Sequence, residues 1–207
     1  MKTKCILASA TLLLVAAALA TEEPATNCVH RSCCAPIEAA KPLADKSLYQ
    51  LDTIWTNDAG KTVKLDSLRG RPQVIAMFFA SCQYTCPLLV SRLKQLEAGL
   101  PATFHGKVGF TLVSFDSQRD TPAALQIYRT QHALSTNSWT LLKGDADGVL
   151  DLAAVLGVKF KQDTQGNFTH SNLITLLNSE GEIVYQQVDL NPDDSNLARR
   201  IEQLTAH

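Results

Sequence analysis

Cys82 and Cys86 lie four residues apart in FFASCQYTCPLLVSRLKQL, residues 78–96, where a run of strand formers gives way to a helical pattern. Two thiols at this spacing admit three chemistries. They can close a structural disulfide, cycle as a redox pair, or bind a soft metal as thiolates. A structural cross-link would gain little, because the loop it closes is already very short. Pro87 follows at once and suits the first position of a helix, where its missing N–H loses no partner. Leu89, Leu93, Leu96 and Leu100 then recur at helical spacing. A helix is therefore predicted from Pro87 to about Leu100, with Cys86 at its cap. Both sulfurs would sit at the positive end of the helix dipole, which favours thiolate over thiol. Thiolate is the form that attacks disulfides and binds metals.

Other side chains could join this chemistry. CVHRSCC places Cys28, His30, Cys33 and Cys34 within one short stretch. Thiolates and an imidazole this close could hold Cu(I) or zinc, against a local disulfide or an incidental cluster. Zinc-finger spacing would need a second ligand pair, and none follows. His170 stands in QGNFTHSN, read as a polar loop, where a histidine is usually just solvated. Asp116 stands at the end of a strand, where a turn or cap role is the ordinary reading. His105 and His132 read as surface residues, and Met77, Trp55 and Trp139 as packing. Tyr84, between the cysteines, is a candidate shield for the site.

The start of the chain sets the compartment. Met1 to Lys4 carry two lysines, Ile6 to Ala20 is apolar, and Ala18-Leu19-Ala20 forms a small-residue cleavage site. This is the layout of a secretory signal peptide, assigned to residues 1–20. The alternative is an uncleaved N-terminal anchor. A lipoprotein reading is weaker, because Asn27 precedes Cys28 where a small residue is expected. Export to the periplasm or another extracytoplasmic space is therefore expected, with no second membrane segment. Cys5 would leave with the signal, and the five remaining cysteines cannot all pair internally. Residues 21–42 carry Pro24, Pro36 and Pro42 without apolar periodicity and read as a flexible, cysteine-containing linker. Residues 43–207 suffice for one ordinary domain. A net charge of −1 gives no electrostatic reason to expect nucleic acid or an anionic membrane surface as partner.

The elements around the thiols follow from patterning. LYQLDTIW alternates like a strand, NDAG at Asn57–Gly60 is a turn, and KTVKLDSL is a second extended segment. QVIAMFFA, Gln73 to Ala80, is apolar throughout and reads as a central strand buried on both faces. KVGFTLVSF and SWTLL are further strands. TPAALQIYRTQHAL is a helix capped by Thr121, and DADGVLDLAAVLG is a helix closing at Gly157. HSNLITLLN and EIVYQQV form a hairpin around SEG. PDDSNLARRIEQL is a last helix with acidic residues in its first turn. Alternating strands and helices predict an α/β fold: a central sheet with helices on both faces and an N-terminal extension. A reactive group at the carboxyl end of a central strand is where such sheets place function.

SCQYTCP, then SFDSQRDTP, then FTHSNLITLLNSEGEI closely resembles the SCO/SenC family over about Leu48 to Leu204. The resemblance implies a thioredoxin-like fold with a mixed sheet. It also implies copper, as Cu(I) or Cu(II), bound by Cys82, Cys86 and His170. Asp116 would lie near the metal. Outside the family's pattern, Cys28, Cys33 and Cys34 on the flexible linker form a candidate auxiliary copper-loading or thiol-exchange arm. The partner implied is a cytochrome c oxidase subunit or another copper-accepting exported protein. Two thiolates and one imidazole independently suit both copper oxidation states, since sulfur favours Cu(I) and nitrogen accommodates Cu(II). The competing function is a thiol–disulfide oxidoreductase, with Cys82 and Cys86 as its catalytic redox pair and a thiol reductant as partner. A thiol peroxidase is weaker, because it needs an arginine beside an activated thiolate and Arg119 is a poor match.

Overall fold

The computed structural model describes residues 44–164, 166–188 and 194–206. The signal, linker and Cys28, Cys33 and Cys34 readings lie outside the described residues. So does the start of the folded domain at residue 43.

Nine strands and four helices follow one another among the described residues. They are β1 (Trp55–Asn57), β2 (Thr62–Val63), β3 (Gln73–Phe78), α1 (Thr85–Gly99), β4 (Gly109–Ser114), α2 (Pro122–Gln131) and β5 (Trp139–Lys143). There follow α3 (Ala146–Leu156), β6 (Phe160–Gln162), β7 (Phe168–His170), β8 (Leu173–Leu177), β9 (Ile183–Val188) and α4 (Ser195–Thr205). Seven strands form one sheet in the order β2-β1-β5-β4-β3-β8-β9, and β6 pairs with β7 alone. β3, β4 and β5 run parallel, linked by α1 and α2 as crossovers. β8 is antiparallel to β3, with Ala76 opposite Ile174, and β1 is antiparallel to β5. The sheet is thus mixed, as the resemblance implies, and flanked by helices, as the patterning predicts.

Every residue of β3 and β4 is buried, and for β3 that is what its continuous apolar run demands of a sheet covered on both faces. Met77, Trp55 and Trp139 are core residues. The polar exceptions are paired: Gln73 donates to Leu68 O at 3.0 Å and accepts from the Thr111 hydroxyl at 3.2 Å. Thr121 caps α2 by accepting the Ala124 N–H at 3.2 Å, and Asp145 caps α3 through Gly148 N–H at 2.8 Å. Gly157 ends α3 at φ 76°, a left-handed conformation that glycine adopts without steric cost. Replacing Thr121 with Ala is expected to cost about 1 kcal/mol of folding stability, read from denaturant midpoints.

Several boundaries differ from expectation. Leu48–Gln50 is a 3₁₀ turn, not a strand, because the Ser47 hydroxyl accepts the Tyr49 N–H at 3.2 Å and folds the chain locally. Only Trp55, the last residue of that stretch, joins the sheet, as the first residue of β1. Leu65–Leu68 is likewise a 3₁₀ turn. α4 has no acidic residue in its first turn; Asp194 precedes it as the cap residue. That carboxylate instead accepts from Arg92 and Gln187, joining α1 to the end of β9.

Candidate metal centre

The sequence interrupts β3 and starts α1 in a way that points two sulfurs at one spot. α1 begins at Thr85, two residues earlier than Pro87 suggests, so Cys86 lies inside the first turn. The proline still fits, because none of the first N–H groups of a helix has an intrahelical acceptor. Tyr84 occupies the cap position without a side-chain cap bond. Cys82 supplies one: its sulfur accepts the Cys86 N–H at 3.4 Å. A sulfur thus takes the place usually held by a serine or aspartate oxygen.

The two thiols differ electrostatically. Cys82 is half-buried. Burial opposes its ionisation, yet hydrogen bonds from the Thr85 hydroxyl and the Cys86 and Tyr84 backbone outweigh this and leave its pKa below the ordinary thiol value. Cys86 is fully buried, and burial pushes its thiol well above that value, with the neighbouring Cys82 charge adding to the effect. The expectation that the helix terminus favours thiolate at both positions therefore holds for Cys82 and fails for Cys86. Desolvation exceeds the dipole when a sulfur faces the core.

His170 reaches this pair from another element. It ends β7 rather than standing in a loop, because β6 and β7 pair as a two-stranded ribbon with Phe160 opposite His170. The sequence gives little warning of this ribbon, since each strand has three residues and no clean alternation. The ribbon rests on aromatic contacts. Phe115 lies 5.0 Å from Phe168, 5.2 Å from Phe160 and 5.0 Å from the His170 ring, while Phe79 lies 5.9 Å from that ring. His170 Nδ1 is 3.3 Å from Ser171 O, an acceptor that requires the proton on Nδ1. Nε2 then keeps its lone pair toward the thiols, 3.9 Å from Cys86 Sγ and 3.4 Å from the Thr85 hydroxyl. Burial lowers the His170 pKa and favours the neutral ring.

Cys82 Sγ, Cys86 Sγ and a His170 ring nitrogen all lie within 4.8 Å of one another. Donors about 2.0–2.3 Å from one ion are at most ~4.6 Å apart, so a small contraction would let all three share an ion. Softness and geometry of the donors fit copper. Asp116 is not in the cluster. It is buried, and both carboxylate oxygens accept from Arg119, through the Arg119 N–H at 3.1 Å and the guanidinium Nε. The Arg119 guanidinium is occupied there and at Gly166 O, away from the role a peroxidase would require. Tyr84 is 79% exposed and points to solvent rather than shielding the site. His105 is exposed, but His132 is half-buried with its ring 4.2 Å from Tyr128.

Residue types alone did not single out Thr85, Phe79, Phe115 or Asp120. Thr85 stands directly before Cys86, and its hydroxyl bridges Cys82 and His170 at 3.5 and 3.4 Å. Asp120 is 2% exposed and accepts from the Ala80 N–H at 2.9 Å and the Ser114 hydroxyl at 2.5 Å. It thereby fixes the loop that leads to Cys82. No helix among the described residues is long and apolar enough to cross a membrane.

The "SCO1 protein homolog" of Bacillus subtilis strain 168 is 25% identical over 160 residues, covering 73% of this chain and 81% of its own. The structure of Bradyrhizobium japonicum ScoI with copper bound aligns with a TM-score of 0.63 at 23% identity, covering 73% of this chain and 96% of that one. BsSco, described as a member of the Sco family of cytochrome c oxidase assembly proteins with a disulfide switch, aligns with a TM-score of 0.65 at 20% identity, over 76% of this chain and 94% of that one. These structural likenesses show the fold, which is thioredoxin-like. The SCO1/SenC family model matches residues 46–206, a span that holds the thiol pair, the aromatic seat and His170 together, and the chain accordingly belongs to that family.

Proposed function

We propose that this protein binds copper through Cys82 Sγ, Cys86 Sγ and His170 Nε2, and passes it by ligand exchange to a copper-accepting exported protein. The acceptor proposed is the copper centre of cytochrome c oxidase. Delivery would take place outside the cytoplasm, after the predicted signal directs export. The observation that carries the reading is the convergence of two sulfurs and one imidazole nitrogen within 4.8 Å, from two separate elements. The copper bound in the Bradyrhizobium structure supports the choice of ion. The half-buried Cys82 is the donor that an incoming ligand reaches first. Ligand exchange then needs no net redox change: each acceptor donor displaces one donor of this site.

The test is copper binding by the reduced domain, residues 43–207, which lacks the tail cysteines. His170→Ala should weaken Cu(II) affinity by more than about 100-fold, since it removes a direct donor and loss of a mere outer partner already costs about 10- to 100-fold. Equal affinity in the variant would refute the three-donor site.

A second reading, thiol–disulfide exchange, is favoured by the contrast between the two thiols. The Cys82 thiolate would attack a partner disulfide and release one partner thiolate. Cys86 would then displace the other, leaving a Cys82–Cys86 disulfide. Its thiol proton would go to the leaving sulfur. His170→Ala should leave that exchange largely intact, which separates the two functions.

A further inference from the structure

The two thiols and His170 stand on differently anchored parts of the fold. Cys82 and Cys86 follow β3, at the heart of the seven-stranded sheet, whereas His170 ends a ribbon whose strands pair only with each other. Something must hold that ribbon over the thiols. Phe115 and Phe79 provide an apolar seat, but aromatic contacts set distance more loosely than they set register. The Thr85 hydroxyl meets the imidazole itself at 3.4 Å, and a longer polar side chain ties down the ribbon's turn. The Arg119 guanidinium gives its Nε to the Asp116 carboxylate and an Nη2 hydrogen to Gly166 O, in the turn between β6 and β7. Its Cζ also lies 5.7 Å from the Phe168 ring centroid, two residues before His170. Asp116 is itself held, with its N–H donating to the Ser114 hydroxyl at 3.0 Å.

We propose that Arg119 is a positioning residue for His170: its fork ties the β6–β7 turn to the Asp116 loop and so sets the imidazole at ligand distance from the two sulfurs. This rests on the copper reading above. It also gives Asp116 a part at one remove, as the group that orients the arginine rather than the metal. The chemistry requires an arginine. A planar fork can serve a carboxylate and a carbonyl on separate elements at once, while a lysine ammonium beside Asp116 keeps the charge but cannot span both.

Arg119→Lys is therefore the informative variant. Ala would instead leave the buried Asp116 carboxylate uncompensated and confound the result with lost stability. In the metal-free reduced protein, amide exchange across the Phe160–His170 pair should speed up by about tenfold or more, while β3 and β4 stay protected. Cu(II) affinity should fall by about 10- to 100-fold in Arg119→Lys. In a His170→Ala background the same substitution should cost nothing further, because its effect passes through the imidazole. Unchanged ribbon exchange would overturn the proposal, as would an equal affinity loss with and without His170. If His170→Ala alone leaves copper binding untouched, the copper reading fails, and the exchange measurement still decides whether Arg119 anchors the ribbon.

Discussion

Alkylation of the reduced domain at neutral pH is expected to label Cys82 at least about a hundredfold faster than Cys86. Only the thiolate reacts, so each unit of pKa separation changes the reactive fraction about tenfold. The Cys82 pKa lies below the ordinary thiol value and the Cys86 pKa well above it, so the separation is wide. The more basic thiolate is the better nucleophile, which returns roughly half of the difference on a logarithmic scale. Burial of Cys86 acts in the same direction as its pKa, since reagent must reach the sulfur. Mass spectrometry of the labelled protein over time gives both rates. Comparable rates would mean that Cys86 is neither shielded nor neutral, and would remove the assignment of Cys82 as the attacking or first-exchanging sulfur. Thr85→Ala should narrow the gap from the Cys82 side, because the hydroxyl at 3.5 Å is among the groups that hold its pKa down.

The second large effect concerns a residue that touches no ligand. Asp120→Ala should cost about 2–6 kcal/mol of folding stability, since it strands the Ala80 N–H and the Ser114 hydroxyl, each at about 1–3 kcal/mol. Denaturant unfolding of the metal-free domain measures this. A loss below about 1 kcal/mol would show that water or a rearranged loop replaces the carboxylate. Asp120→Asn should be much milder, because the amide oxygen can still accept. The two differ with pH in a definite sense. Burial raises the Asp120 pKa above the ordinary value of 3.8, and hydrogen bonds from Ser114 and Ala80 only partly offset it. The folded state therefore binds more protons than the unfolded state in the window just above 3.8. Wild-type stability should fall, relative to Asp120→Asn, as pH rises through that window. A relative rise would reverse the sign of the shift.

Much of the fold was legible because its signals are local. The run in β3 is apolar at every position after Gln73, Thr121 and Asp145 announce helices, and Gly157 closes one. The failures share a cause. Leu48–Gln50 alternates like a strand but is turned by the Ser47 hydroxyl, a single hydrogen bond that no periodicity reports. β6 and β7 are too short to carry a period, and they exist because Phe160 and Phe168 find Phe115 across the fold.

The candidate site divides the same way. The sequence by itself determined that two thiols meet a helix start at the end of a buried strand, since covalent spacing and Pro87 leave the chain few alternatives. Only the tertiary structure decided that the thiols are unlike, because solvent exposure depends on which sulfur faces the core. It alone set the Asp116 carboxylate on Arg119, and placed Asp120 under the cysteine loop. His170 lies 84 residues from Cys86 along the chain and 3.9 Å from it in space. Contacts that distant in sequence are set by the packing of whole elements, which residue spacing does not record.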